Sequence, residues 1–401
     1  MSKISAGTTT ATGLVQTSDT TGNLELQTNN GTTAVTFDTS QNASFAGDIS
    51  VQGGNYLSSQ PSFRNIIING DMRIAQRATS VANISSGGTY HTVDRFCTVL
   101  ASAGTWTQTQ STDVPSGQGF SMSLKMQCTT ASASLATGAY NSIQHYVEGQ
   151  NLQHLEYGTS SAKTTTLSFW VKSNKTGTYV VQFLQPDAPT LRVIVKSYTI
   201  SSADTWEKKT ITIDADTAGT ISDDYGNGLQ IRFGLAFGSD YTSGTLQTSW
   251  GDYTGSDFAV GQVNLADSTS NYFNITGIQL EVGSQATPFE RRPYDVELKR
   301  CERYYQKYIN QTLSAYWTTG VMGIPFKTEM RSSPTVYWEY GGTPYRVYRI
   351  QDAVQTTLSG SSVPVSTTGM MYIYNSASTW AQSGSTITGV SVALLTFDAE
   401  I

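Results

Sequence analysis

Short runs in which apolar and polar residues alternate constrain this chain more than any other feature of its sequence. In residues 229–235 every odd position is apolar, and Ile211 and Ile213 alternate with polar neighbours. Successive side chains of a β-strand point to opposite faces of the sheet, so each run predicts a strand with one buried face. Two such sheets bury their apolar faces against each other, which makes an all-β sandwich the predicted fold.

The composition favours the same fold class. Charged residues make up only 13% of the 401 residues, whereas 22 residues are tyrosine and 36 are glycine. A disordered chain would carry more charge and fewer aromatic residues, and a helical bundle would contain more Ala, Leu, Glu and Lys. The net charge of −6 argues against a general nucleic-acid binder. Cys97, Cys128 and Cys301 are too far apart for a disulfide framework or a CxxC metal site, so we expect isolated thiols.

Residues 1–63 differ from the rest of the chain, since they contain one basic residue, Lys3, and no tryptophan. Short apolar groups recur there between turn residues: Leu24 with Leu26, Val35 with Phe37, Phe45, and Ile49 with Val51. Each group predicts a short strand whose apolar face is too thin to form a core within one chain. We therefore predict a β-rod that attaches and trimerises the chain, its apolar face buried by identical chains. A disordered tail is the alternative.

A two-sheet sandwich is predicted for residues 64–293. Near its end the alternation changes phase, because Phe273 and Ile275 lie on odd positions whereas Ile278 and Leu280 lie on even ones. One extra residue at Gly277 would explain the change, which predicts a β-bulge there.

A linking helix is predicted over residues 294–308. Asp295 is its expected N-cap, and the stripe at helical spacing consists of Leu298, Cys301, Tyr305 and Tyr308. Residues 309–401 return to strand patterns and predict a C-terminal β-rich tip domain. Within it, residues 390–397 are apolar on both faces, as in a central strand.

Several segments, taken in order, carry a family resemblance. They are NIIINGDMRIAQR (65–77), YHTVDRF (90–96), LSFWVK (167–172), TWEKKTITI (205–213), ITGIQLEVG (275–283), ATPFERRPY (286–294) and ELKRCERYY (297–305). The series resembles a domain common in bacteriophage tail fibres. ISAGT (4–8) and GNLELQ (22–27) resemble the starts of similar marine phage fibres.

The resemblance implies a jelly roll like that of carbohydrate-binding modules, carried in a homotrimeric fibre of the virion tail. Residues 1–63 would then bind phage tail or baseplate proteins, and the tip would bind a host surface polysaccharide or lipopolysaccharide. Residues 1–15 show no signal-peptide pattern, so synthesis in the host cytoplasm is expected. We expect a non-catalytic receptor-binding protein with no nucleic-acid partner. The alternatives are a glycan depolymerase tailspike and a purely structural head or collar fibre.

Aromatic side chains supply the candidate carbohydrate-binding residues. Residues 301–401 contain 15 of the 43 aromatic residues, and rings with a polar tip suit a partly wet surface on which sugars stack. The candidates are Tyr337, Tyr372, Tyr374 and Trp380 in the tip, and Trp170 on the polar face of a sandwich strand. If residues 371–374 form a single strand, Tyr372 and Tyr374 share its outward face. Packing in the core or against another subunit is the alternative for each.

No catalytic residue is predicted. The one cofactor considered is a structural calcium. His91, His145 and His154 lack metal-ligand spacing, and the sequence contains no P-loop and no GxSxG motif. The calcium candidates are Asp214, Asp216, Asp223 and Asp224, because carboxylate oxygens on a bent loop suit that ion. Turn formation is the alternative use of these side chains.

The charge is concentrated in one segment. Residues 291–349 contain ten basic and five acidic residues. A positive collar that attracts anionic lipopolysaccharide is one interpretation. The other is ion pairing between subunits, with Glu297, Glu302 and Glu329 as partners.

Overall fold

The structure is a computed structural model. It describes residues 2–6, 14–17, 21–28, 31–40, 43–46, 50–51, 54–55, 63–313, 323–340, 343–345, 361–362, 370–372, 374–375 and 390–400. By its internal contacts the chain divides into two compact units, Met1–Ser62 and Phe63–Ile401. Within the described ranges, none of the helices has the length and apolar character that a bilayer crossing requires.

Short strands make up the described part of the N-terminal unit. They are β1 (Ser2–Ala6), β2 (Leu14–Thr17), β3 (Leu24–Thr28), β4 (Thr32–Phe37), β5 (Ala43–Phe45), β6 (Ser50–Val51) and β7 (Gly54–Asn55). The first five form a sheet of order β2-β1-β3-β4-β5, in which β1 runs parallel to β3. Strands β6 and β7 pair with each other. The structure therefore confirms the predicted strands of this segment.

The apolar residues of this unit align across its sheet. Leu26 lies opposite Val35, and Val35 lies opposite Phe45. Phe37 and Phe45 are 36% and 48% exposed, which is high for phenylalanine. A single chain thus leaves much of this apolar face in contact with water.

The second unit begins with the strands of a jelly-roll sandwich. They are β8 (Ser80–Ile84), β9 (Gly87–Tyr90), β10 (Cys97–Ala101), β11 (Thr105–Ser111), β12 (Ser123–Thr130), β13 (Tyr140–Glu148), β14 (Thr165–Ser173), β15 (Gly177–Gln185), β16 (Arg192–Ile200), β17 (Glu207–Ile213), β18 (Asn227–Phe237), β19 (Gly251–Asp252) and β20 (Tyr272–Val282). Helix α1 (Ser239–Thr242) follows β18, and short 3-10 turns occupy Gly149–Asn151, Gln153–Leu155, Gly255–Asp257 and Leu265–Asp267.

Two antiparallel sheets form this jelly roll. The seven-stranded sheet has the order β19-β16-β15-β18-β13-β10-β9, and the six-stranded sheet has the order β17-β14-β20-β12-β11-β8. Their inner faces share one hydrophobic core, in which Phe169 of β14 meets Phe233 of β18 with ring centroids 5.2 Å apart. Each fully buried side chain of this size contributes roughly 1.5–3 kcal/mol to stability. The predicted all-β sandwich is confirmed.

The predicted bulge at Gly277 is also present. The register of β14 against β20 shifts between Ser168 and Trp170, so one extra residue of β20 lies opposite Phe169. Gly277 adopts a φ of +63°, and a Cβ atom there would lie 2.6 Å from the ring of Phe120. Glycine is required at this position both for its backbone conformation and for space.

Residues from the two ends of the jelly roll interlock. The side-chain oxygen of Asn65 accepts a hydrogen bond from the backbone of Leu280 at 3.1 Å, and the backbone of Asn65 donates to Glu290 at 2.8 Å. These contacts join residues 65–77 to residues 275–294, which are segments that carry the family resemblance. Those motifs therefore close the sandwich.

The helix after the sandwich is shorter than predicted. Helix α2 spans Tyr294–Glu302 rather than residues 294–308, and its N-cap is Pro293 rather than Asp295. Tyr305, expected on the helical stripe, begins strand β21 (Tyr305–Leu313) instead. Pairing with the last strand of the chain satisfies the backbone of these residues, and this tertiary interaction outweighs their local helical spacing.

The remaining described strands follow α2. They are β22 (Gly323–Pro325), β23 (Thr335–Tyr340), β24 (Thr343–Tyr345), β25 (Ser361–Ser362), β26 (Met370–Tyr372), β27 (Tyr374–Asn375) and β28 (Val390–Asp398). One sheet has the order β21-β28-β23-β24, which confirms the central position predicted for residues 390–397. The segment after α2 thus starts and ends on two neighbouring strands. These strands belong to the same compact unit as the jelly roll, and a separate tip domain over residues 309–401 stays a prediction.

Candidate functional site

The outer face of the seven-stranded sheet carries the candidate site. Period-two alternation on β13 and β18 buries Ile143 and Phe233 in the core and turns the residues between such positions outward. Further aromatic residues come from the loop 238–263, which contains α1 and β19. We call the resulting surface the tyrosine face; it consists of Tyr140, Tyr146, Arg232, Tyr241 and Tyr253.

A second apolar cluster holds the loop on this face. Its buried members are Val180, Leu184, Val193, Val195, Phe237, Phe258 and Ala259. Tyr140 and Tyr241 pack against the cluster and contact each other edge to face, with centroids 6.0 Å apart. Tyr253 meets Phe258 in the same manner at 5.2 Å and remains 39% exposed. Edge-to-face packing fixes the orientation of these rings while leaving part of their surface accessible.

Polar side chains line the adjacent part of β13. The hydroxyl of Tyr146 donates to Oε1 of Gln144 at 2.7 Å, and Nε2 of Gln144 donates to the Ser142 hydroxyl at 2.8 Å. These residues are two positions apart along the strand and therefore share one face. Burial raises the pKa of Tyr146, so its phenol stays protonated and able to donate.

Arg232 lies at the centre of the tyrosine face. In register it stands between Gln182 of β15 and Gln144 of β13. Its Nε and Nη2 atoms both donate to Oε1 of Gln230, at 3.0 and 2.6 Å, and its guanidinium carbon lies 5.7 Å from the centroid of Phe258. Among the residues whose side chains the structure describes, no carboxylate forms an ion pair with it. Burial lowers the pKa of Arg232, and nearby tyrosine oxygens partly offset that effect.

This arrangement suits a sugar. Aromatic rings offer flat surfaces to the C–H faces of pyranose rings, and glutamine and arginine side chains exchange hydrogen bonds with hydroxyl groups. The tyrosine face combines both kinds of group on a rigid sheet.

Trp170 lies elsewhere. It is half-buried on the six-stranded sheet, beside Lys208 in register. The structure therefore does not bring Trp170 together with the tyrosine face, and its role in sugar binding stays a prediction.

The tip candidates are only partly within the described residues. Trp380 lies outside them, and for Tyr337, Tyr372 and Tyr374 only the strand positions are described. Tyr372 pairs with Gly323, whereas Tyr374 belongs to a different two-stranded ladder. Tyr372 and Tyr374 thus lie on two described strands with different partners, and residue 373 between them lies outside the described residues. Sugar binding by these residues stays a prediction.

Three of the four calcium candidates make hydrogen bonds within the chain. Asp216 accepts two hydrogen bonds from Arg192, at 2.7 and 2.8 Å, and Asp214 accepts one from Lys196 at 3.0 Å. Asp224 accepts from the backbone of Gly226 at 2.7 Å, which is a turn-forming contact, and Asp223 is exposed. In the described part of the chain, no three acidic, histidine or cysteine side chains are grouped to hold a metal. A structural calcium stays a prediction.

Two basic residues near α2 form ion pairs within the chain, and pairing between subunits stays a prediction. Arg303 donates to both carboxylate oxygens of Glu148 at 2.9 Å, and Lys327 donates to Glu302 at 2.8 Å. The fold places α2 beside the end of β13, so these cations meet acidic groups of the same chain.

The sequence contains one signal for the tyrosine face. Ser142, Gln144 and Tyr146 alternate with Ile143 and Val147 on β13, so the strand has a polar outer face that includes an aromatic ring. None of these residues was among the predicted carbohydrate-binding residues. Tyr241 and Tyr253 show no such pattern, because a loop brings them to the sheet.

No family model and no curated protein matches the chain. One similar solved structure is the enzymatically active domain of tailspike protein 4 of bacteriophage CBA120, with 14% identity over 55% of this chain, 22% of that chain and a TM-score of 0.29. Another is the family 11 carbohydrate-binding module of Clostridium thermocellum in complex with a β-1,3-1,4-mixed-linked tetrasaccharide, with 14% identity over 54% of this chain, 95% of that chain and a TM-score of 0.25.

A third is the CBM22-1–GH10 part of the C. thermocellum endo-1,4-β-D-xylanase 10B complexed with xylohexaose. It is 9% identical over 53% of this chain and 30% of that chain, with a TM-score of 0.28. The match thus spans less than a third of the xylanase chain and less than a quarter of the tailspike chain. Each of these similarities covers about half of the present chain.

Proposed function

We propose that this chain is a tail-fibre subunit of a bacteriophage and that its jelly roll binds host surface glycan through the tyrosine face. The observation that carries the binding role is the half-buried Arg232 set among tyrosine rings and glutamine side chains. The place in the virion rests on the sequence resemblance of the ordered segments between residues 65 and 305. Attachment to tail proteins through residues 1–63 belongs to the same proposal.

Binding without turnover is the proposed activity. Hydrolysis of a glycosidic bond needs two carboxyl groups at a set separation on either side of the bond. The strand residues at the centre of the tyrosine face are tyrosine, glutamine and arginine. These side chains favour recognition of sugar hydroxyls over acid–base chemistry.

A trimer would strengthen weak individual sites. Three tyrosine faces in one fibre, and several fibres on a particle, would raise the apparent affinity by about 10² to 10⁴ through effective concentration. The exposed apolar row of the N-terminal sheet supports such assembly, because identical chains would bury it.

Glycan binding is tested with the full-length protein on an array of bacterial surface polysaccharides. We expect Tyr253→Ala, which removes an exposed ring of the tyrosine face, to reduce binding about tenfold. Tyr272→Ala is the matched control, since this half-buried tyrosine lies on the six-stranded sheet. The chain length of a bound glycan should stay constant during incubation, which separates binding from depolymerisation.

Two results would reject the proposal. One is that the trimeric protein retains none of the polysaccharides. The other is that Tyr272→Ala weakens binding as much as Tyr253→Ala does, because the loss would then not depend on the tyrosine face.

A further inference from the structure

We infer that the tyrosine face takes an acidic glycan and that Arg232 holds the oxyanion of its sugar. This inference rests on the proposed glycan-binding function and adds the chemical class of the ligand. A hexuronic acid supplies a carboxylate, and a sulfated or phosphorylated sugar supplies the same kind of group.

The charge of Arg232 has no counter-charge within the described residues. Two other arginines of this unit each meet a carboxylate that accepts two hydrogen bonds, as Arg192 does with Asp216 and Arg303 with Glu148. Arg232 is half-buried, and no such partner exists for it among the described side chains. Placing a cation away from water without a counter-charge is unfavourable, so an anionic ligand would be strongly preferred there.

The guanidinium of Arg232 is held in a fixed orientation. Gln230 accepts hydrogen bonds from Nε and Nη2, and Phe258 lies beside the guanidinium plane. The hydrogen bonds of the Arg232 side chain within the described residues come from Nε and Nη2, which leaves Nη1 to donate to a ligand. A fixed guanidinium with a free N–H group loses little conformational freedom when it binds an oxyanion.

The surroundings of Arg232 disfavour its charge, because burial lowers the pKa of the guanidinium. An arriving anion would reverse that penalty and form a charge-assisted hydrogen bond, which is about twice as strong as a neutral one. A neutral sugar hydroxyl could accept from the same N–H group but would leave the charge uncompensated. We therefore expect a preference of about tenfold for the acidic form of a sugar over its neutral form.

The experiment uses full-length protein and pairs of polymers that differ in one group. The probes are polygalacturonate, alginate and hyaluronate, each before and after chemical reduction of the carboxyl group to an alcohol. Dextran sulfate and dextran form the second pair and report on sulfate. The variants are Arg232→Gln, which removes the charge, and Arg232→Lys, which keeps the charge without the planar fork. Lys208→Gln is the control, because it removes an exposed positive charge from the other sheet.

Wild-type protein should bind at least one acidic polymer about tenfold more tightly than its neutral form, and the preference should decrease with salt. Arg232→Gln should bind both forms of that polymer equally, Arg232→Lys should retain part of the preference, and Lys208→Gln should behave as wild type. If dextran sulfate is the one acidic polymer that binds more tightly than its neutral form, the oxyanion held by Arg232 is a sulfate or phosphate group rather than a carboxylate. Melting curves of the variants establish that each is folded.

The inference is overturned if wild type binds neutral and acidic forms equally, or if Arg232→Gln keeps the preference. In both cases binding to sugar itself remains, so the proposed function survives. Failure of the folded trimer to bind any of these polymers, acidic or neutral, would overturn both.

Discussion

The guanidinium of Arg95 donates a hydrogen bond to the carboxylate of Glu400, which lies 305 positions further along the chain. The Arg95 side chain is fully buried, and only 6% of the Glu400 side chain is exposed. Arg77 lies 3.4 Å from the same carboxylate, and the Arg95 guanidinium lies 3.4 Å from the ring centroid of Tyr304. The end of the chain is therefore fixed to the jelly roll, and β28 is anchored close to where β21 begins.

Loss of this ion pair should destabilise the larger unit. Glu400→Ala leaves Arg95 buried without its carboxylate, and breaking a buried pair in this way costs about 3–5 kcal/mol. Urea unfolding of the full-length protein measures the change. The control is Glu156→Ala, whose partner Lys163 is 45% exposed and whose loss should cost less than about 1 kcal/mol. Equal effects of the two substitutions would contradict the role of the buried pair.

Stability should decrease in acid through Asp216. Burial alone would raise the pKa of Asp216, but the hydrogen bonds from Arg192 and Ala218 hold it below its usual value. The ionised form is thus favoured by folding, so its stabilising contribution is present above about pH 4 and is lost as the pH falls below that value.

Asp216→Asn tests this pH dependence. The variant should be less stable than wild type by about 1–3 kcal/mol at pH 7, and the difference should narrow below pH 4. Thermal melts between pH 7 and pH 3 provide the measurement. The exposed control Asp223→Asn should show little change at any pH. If the difference in stability between Asp216→Asn and wild type stays constant down to pH 3, the carboxylate charge is not the cause of the difference.

The N-terminal sheet should assemble three chains. Light scattering of full-length protein should give three times the chain mass of 43.3 kDa. Phe45→Asp places a charge on the apolar row and should dissociate the assembly, because burying an unpaired charge is costly. Ser44→Asp is the matched control, since this exposed neighbour points to the other face. A wild-type mass near that of one chain would refute the trimer.

Host range should follow the segment after α2. Strands β21 and β28 pair with each other, and Glu400 joins the end of the chain to the jelly roll. An exchange between related phages should therefore be limited to residues 314–389, so that these contacts remain. We expect adsorption to transfer with the exchanged segment, while array binding by the tyrosine face is unchanged. Adsorption that follows residues 63–308 instead would assign host range to the jelly roll.

Local patterns predicted much of the fold. The alternation at Ile211 and Ile213 predicted β17, and the phase change around Gly277 predicted the bulge. The apolar run 390–397 predicted a central strand. Each of these features follows from burying one or both faces of a strand, and strand alternation is visible in any few consecutive residues.

Tertiary structure alone decided where α2 ends and where the candidate site lies. Helical spacing continues through Tyr308, but pairing with β28, about 90 positions later, makes Tyr305 the start of a strand. The tyrosine face likewise joins β13 and β18 to a separate loop, so its residues are not adjacent in the sequence. Whether an arginine meets a carboxylate also depends on distant strands. The fold brings Glu148 close to Arg303, whereas no carboxylate forms an ion pair with Arg232 among the described residues. The alternation of apolar and polar residues predicts which face of a strand is buried. Only the packing of strands and loops determines which side chains meet on the outer face of the sheet.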